Sequence, residues 1–74
     1  MDIVEKIEKH AGELIGIRVN GVYYNVNCIS KDRAGKFTTL YAYQLDDDNC
    51  YVEYEFDRTD IENSKVQLYK LQEV

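Results

Sequence analysis

Between positions 14 and 29, apolar side chains fall on every second residue on both sides of Asn20-Gly21. An Asn-Gly pair between two alternating runs predicts a hairpin closed by a type I′ turn, because both central positions need positive φ. With Val19 and Val22 flanking a two-residue loop, 17 faces 24 and 15 faces 26. One face then carries Ile15, Ile17, Val19, Val22, Tyr24, Val26 and Cys28. The other carries Gly16, Arg18, Asn20, Tyr23, Asn25 and Asn27 and is mostly polar. A slip of one residue would exchange the two sets, so turn and pattern agree on one register.

A second alternating pair occupies 37–45 and 50–57, around Asp46-Asp47-Asp48-Asn49. Read as a four-residue loop, this segment sets Leu45 opposite Cys50, 43 opposite 52, 41 opposite 54 and 39 opposite 56. The expected inner face is Phe37, Thr39, Tyr41, Tyr43, Leu45, Cys50, Val52, Tyr54 and Phe56. The reverse side of the last strand is then Tyr51, Glu53, Glu55 and Asp57, an acidic ladder that must meet water or a cationic partner.

The remaining elements follow from periodicity and capping. Ile3, Val4, Ile7 and Ala11 recur at helical spacing behind Asp2, with Glu5 three residues on to complete a capping box. A helix over about 3–11 is predicted, with Gly12 as its C-terminal stop and His10 as a capping or surface residue. Residues 30–36 read as a polar connection. Thr59-Asp60-Ile61-Glu62 predicts a single helical turn with Ile61 inward, and 65–71 a last strand with Val66 and Leu68 inward. The fold class is α+β, mainly antiparallel β, with a helix followed by four to five strands at about 14–19, 22–29, 37–45, 50–57 and 65–71.

Phe56-Asp57-Arg58-Thr59-Asp60-Ile61 leading to Val66-Gln67-Leu68 resembles the fourth strand, short turn and fifth strand of the small Sm-like and SH3-like barrels. The resemblance is one of element order, and it implies five bent strands curled into a small barrel. The glycine- and asparagine-containing RNA-binding signature that Sm-like proteins carry at this point is missing, so the likeness implies no function. The rival architecture is an open sheet with the helix across one face.

Composition narrows the function classes. Seventy-four residues, 45% apolar and 31% charged, make one ordinary globular domain. The chain runs from Met1 directly into the amphipathic pattern, without a leader or an apolar span, so a cytoplasmic protein with no membrane segment is expected. Cys28 and Cys50 lack CxxC spacing and read as buried free thiols, and with one histidine they make no zinc set. Asp46-Asp47-Asp48-Asn49 lacks the alternate ligand spacing of a calcium loop. No phosphate loop or nucleophile motif is present, so no metal, no cofactor and no enzymatic activity are expected.

The net charge of −5 is unevenly spread. Residues 1–35 hold five acids and five bases, whereas 46–62 hold eight acids against the single Arg58, a local charge of −7. Such a field repels phosphate and attracts basic partners, which disfavours direct nucleic-acid binding. The expectation is a non-enzymatic interaction protein that binds a basic site on another protein. In its sharpest form it is an inhibitor presenting carboxylates where a nucleic-acid-binding partner expects phosphates. The expected contact set is Asp46, Asp47, Asp48, Tyr51, Glu53, Glu55 and Asp57. The alternative is an oligomeric small barrel that binds a ligand or nucleic acid at subunit-interface loops through Arg18, Lys31, Arg33 and Lys36. Edge strands left open by so small a sheet also suggest a homo-oligomer.

Overall fold

The computed structural model describes residues 2–70. Helix α1 spans Ile3–His10, and the Asp2 side chain accepts the Glu5 N–H at 2.8 Å to cap it. Its apolar stripe buries Val4 and Ile7. A 3₁₀ turn, Ala11–Glu13, continues the helix. Gly12 therefore lies within that turn and does not provide the left-handed stop expected of it. Strands β1 (Leu14–Val19), β2 (Val22–Lys31), β3 (Phe37–Leu45) and β4 (Tyr51–Asp57) follow, then the short helix α2 (Arg58–Glu62) and strand β5 (Val66–Lys70). The predicted end of the last strand at Leu71 lies outside the described residues.

The five strands form one antiparallel sheet in the order β4-β3-β2-β1-β5. The fold is α+β and mainly antiparallel β, as the pattern predicts. Of the two architectures compatible with the sequence, the chain adopts the open one. β4 and β5 lie at opposite edges and do not pair with each other, so no barrel closes. The inner face packs against the helices. Val4 and Ile7 of α1 and Ile61 of α2 meet Ile17, Val19, Phe37, Leu40 and Ala42. Burying one such aliphatic or aromatic side chain contributes about 1.5–3 kcal/mol, so this cluster is the main source of stability. Glu8 ties the layers at their rim. Its carboxylate accepts the Phe37 N–H at 3.0 Å and lies 3.8 Å from Arg58 of α2, while its carbonyl accepts from Lys31 Nζ.

The first hairpin forms in the predicted register, with Val19 opposite Val22 and Ile17 opposite Tyr24. Asn20 and Gly21 take φ of 50° and 87°, the conformation a type I′ turn demands. Three residues assigned to the inner face depart from it. An irregularity between Leu14 and Gly16, where β1 pairs with β5, leaves Ile15 exposed. Val22 stands at the hairpin end, where the core no longer covers it. A bulge between Val26 and Cys28 shifts the alternation of β2, so Cys28 turns outward and Ile29 inward.

The second hairpin differs from expectation by one residue. Leu45 pairs with Tyr51, Tyr43 with Glu53, Tyr41 with Glu55 and Thr39 with Asp57. The cause is the loop. The Asp46 N–H donates to the Cys50 carbonyl, and Asp46 Oδ1 accepts from the N–H groups of Asp48 and Cys50, each at 2.9 Å. Asn49 takes a left-handed φ of 60°. This is a three-residue loop closed by a left-handed bulge residue, and the odd count exchanges the faces of β3. Leu40 and Ala42 enter the core, while Tyr41 and Tyr43 turn outward. Cys50 precedes β4 and is exposed, like Cys28, so neither thiol is buried as expected.

The turn between β2 and β3 has the same construction. Asp32 Oδ1 accepts from the N–H groups of Ala34 and Lys36, and Gly35 supplies the left-handed residue. The helix over the predicted 59–62 turn begins earlier and is capped by Asp57. Asp57 accepts the Asp60 N–H, and the Asp60 side chain accepts the Asp57 N–H in return.

Candidate functional site

Among the described residues no helix covers the sheet's second face. Cross-strand pairing places Gly16 and Arg18 of β1, Tyr23, Asn25 and Cys28 of β2, Tyr41 and Tyr43 of β3, Tyr51, Glu53 and Glu55 of β4, and Gln67 and Tyr69 of β5 on this side. Five of the chain's seven tyrosines are among them. They pack edge to face in pairs, Tyr43 with Tyr51 at 5.0 Å between centroids and Tyr23 with Tyr69 at 5.5 Å. Such a pair contributes about 0.5–1.5 kcal/mol beyond the area it buries. Gly16 makes the second pair possible, since a Cβ there would run into the ring and hydroxyl of Tyr23. Arg18 lies over the Tyr69 ring at 5.9 Å.

Toward β4 the face hollows into two adjoining shallow depressions of about 430 and 350 Å³. Asn27, Cys28, Tyr41, Glu53 and Glu55 line the first; Asn27, Tyr43, Tyr51 and Glu53 line the second. Glu53 belongs to both. Tyr51 is the most exposed large hydrophobic side chain among the described residues, at 69%. Residues two apart on a strand share a face about 7 Å apart, so Glu53 and Glu55 form one carboxylate wall beside a tyrosine floor. The ion pairs of the described residues lie elsewhere, joining His10 to Glu13 and Arg58 to Glu8 and Glu62. Glu53 and Glu55 have no ion-pair partner among the described residues. Rigid aromatic area beside charged acceptors suits an alkylammonium or guanidinium group, which takes carboxylate contact at its head and ring contact along its stem.

The seven residues expected to form the contact set divide into three groups. Tyr51, Glu53 and Glu55 come together on the open face. Asp46 and Asp57 spend their carboxylates on backbone N–H groups, one within the hairpin loop and one capping α2. Asp47 and Asp48 lie in the loop beyond the end of the hollow. Tyr41, Tyr43, Asn27 and Cys28 also line the hollow. Asn27 lies on the polar face expected of it, whereas the four-residue loop reading sends both tyrosines to the core, and Cys28 reaches the open face through the bulge after Val26. The signal that finds the tyrosines is Asn49, a residue type that readily takes the left-handed bulge position of a three-residue loop.

The basic residues of the alternative reading are occupied differently. Arg18 is stacked on Tyr69, and Lys31 is bonded to the Glu8 carbonyl. Arg33 and Lys36 belong to the turn between β2 and β3. At the far end of the molecule His10 Nδ1 lies 2.6 Å from Glu13, and Lys70 Nζ lies 3.3 Å from His10 Nε2. The His10 hydrogen bond, with further help from the charges of His10, Lys70 and Lys9, holds the Glu13 carboxyl below its ordinary value.

Among the described residues no group of three or more histidine, cysteine or acidic side chains could hold a metal, and no helix is long and apolar enough to cross a membrane. No family model matches the chain, and no curated protein or solved structure resembles it significantly.

Proposed function

We propose that this protein is a cytoplasmic, non-enzymatic interaction protein whose open sheet face binds a basic site on a partner protein. The observation that carries the reading is the hollow in which Glu53 and Glu55, without an ion-pair partner among the described residues, stand beside Tyr41, Tyr43 and Tyr51. A lysine or arginine entering it gains a charge-assisted hydrogen bond at its head and apolar contact along its stem. The excess of acid in 46–62 extends the attraction beyond contact range and speeds encounter more than it deepens affinity. A partner that ordinarily grips phosphates suits this surface best, because carboxylates at regular intervals along a strand occupy the positions its cations seek. The protein then acts as an inhibitor by occupancy and needs no catalytic group.

Affinity capture from host extract tests the reading. The wild-type protein should retain a basic protein that the Glu53→Lys/Glu55→Lys variant loses, with circular dichroism verifying that the variant folds. Equal capture of the same protein by both would refute the role of this face.

A further inference from the structure

β4 has a second free feature besides its carboxylates, namely its outer edge. It pairs with β3 along seven consecutive positions without a bulge, and among the described residues no strand pairs with its other side. Edge strands are commonly blunted by proline, a bulge, a very short length, charged side chains or an inward-pointing charge. Of these β4 has only the outward charges of its acids: it is seven residues long, regular and without proline, and its inward row is Val52, Tyr54 and Phe56. Val52 is 39% exposed, and Tyr54 and Phe56 are only partly covered, packing edge to face against Tyr24. The strand therefore offers three things along one line: unpaired backbone groups, an uncovered apolar row and an outer row of acids.

We infer that the free edge of β4 takes up, as a sixth strand, an extended partner segment in which lysine or arginine alternates with apolar residues. This rests on the reading of the open face as a site for a basic partner, and it specifies how the partner's backbone is held. Added strands gain affinity from main-chain hydrogen bonds and specificity from alternate side chains. On the outer side the basic residues meet Glu53 and Glu55; on the inner side the apolar residues extend the row of Val52 and Tyr54. Charge selects this edge over the other. β5 follows Lys65, ends in Lys70 and has Arg18 of the adjacent β1 beside it on the outer face, so it repels the same segment. Charge also disfavours pairing of two β4 strands, which would set glutamates against one another across the ladder.

Amide hydrogen exchange of the ¹⁵N-labelled full chain tests the inference, with the heptapeptide Lys-Val-Lys-Val-Lys-Val-Lys as probe and a block-ordered Lys-Lys-Lys-Lys-Val-Val-Val peptide as control. In the free protein, the amides of Tyr51, Glu53 and Glu55 point away from β3 and should exchange fast, whereas the next in that row, Asp57, is held by the Asp60 side chain. At about ten times its Kd the alternating peptide should slow those amides about tenfold, and the block-ordered peptide should not. If both peptides bind and shift the tyrosine face without slowing β4 exchange, the charged face is a binding surface but strand addition is wrong. Failure of the alternating peptide to bind at all also overturns the inference, while the Glu53→Lys/Glu55→Lys capture experiment still decides the broader reading. Protection that rises with protein concentration alone would assign the edge to a second copy and equally overturn it.

Discussion

Leu40 and Tyr41 are neighbours in the chain and lie on opposite sides of one strand. Leu40 is fully buried beneath α1 and α2 as part of an aliphatic cluster. Tyr41 lines an open hollow beside Glu55, its cross-strand partner. Apart from the irregularities in β1 and β2 the same alternation runs along the strands, so one sheet carries two surfaces of different chemistry. The inner surface meets the need of any small domain to remove aliphatic area from water. The outer surface answers no such need. The Tyr23–Tyr69 pair secures the face over β1 and β5, where Tyr23 lies across Gly16, and at the opposite side Tyr51 packs on Tyr43, but packing gives no reason to set Glu53 and Glu55 beside them. The stabilising groups and the proposed contact groups are thus separated by the pleat.

That division is broken most severely from the inner side. Leu40→Ala removes most of a fully buried side chain and should cost about 2–5 kcal/mol, whereas Tyr41→Ala, one residue on, should cost well under half as much. Urea denaturation measures both. Similar losses would mean that the two faces share the burden of stability.

A smaller effect sharpens the view of the outer face. Gly16→Val should destabilise by about 1–3 kcal/mol, since the added side chain must displace Tyr23 and overpacking costs of that order. In a Tyr23→Ala background the penalty of the same substitution should shrink. An unchanged penalty would show that the glycine is needed by the strand itself and not by the ring above it.

The smallest effect lies away from both faces. Glu13 has its carboxyl lowered in the folded protein, so its contribution is present above the ordinary glutamate range and is lost as pH falls through the lowered value. Glu13→Gln should flatten the acid limb of stability slightly and leave the neutral region nearly unchanged, as denaturation midpoints between about pH 3 and pH 7 would record. A flattening comparable to the cost of Leu40→Ala would mean that this rim pair carries far more of the fold than its exposure allows.

Much of this architecture is legible in the sequence, and the part that is not has a local cause. Asn20-Gly21 admits one turn type and one register, and the alternating residues around it agree, so the first hairpin forms as read. Asp46-Asp47-Asp48-Asn49 admits both a four-residue and a three-residue loop, and alternation in β3 does not decide between them. Thr39, Tyr41 and Tyr43 are amphipathic enough for a core, while Leu40 and Ala42 are apolar enough for the same place. The deciding interactions are the bonds from Asp46 Oδ1 to two backbone N–H groups and the left-handed Asn49, which belong to the loop and not to the strand pattern. The bulge after Val26 is likewise invisible to periodicity, and it carries Cys28 to the open face. β4 is read correctly because its two rows differ so sharply in charge, and Tyr51, Glu53 and Glu55 lie on the face expected of them. Tyr41 and Tyr43 do not, because their faces depend on the register that the loop sets.

The kinetics of association with the captured partner, followed against ionic strength, test the role of the open face most directly. Exposed charges are screened beyond about 8–10 Å near physiological salt. Wild-type association should therefore slow steeply as salt is added, and the Glu53→Lys/Glu55→Lys variant should associate slowly at every salt concentration. Tyr51→Ala should leave association nearly unchanged and speed dissociation, as loss of an aromatic anchor does. A charge-reversed protein that associates as fast as wild type at low salt would contradict the account.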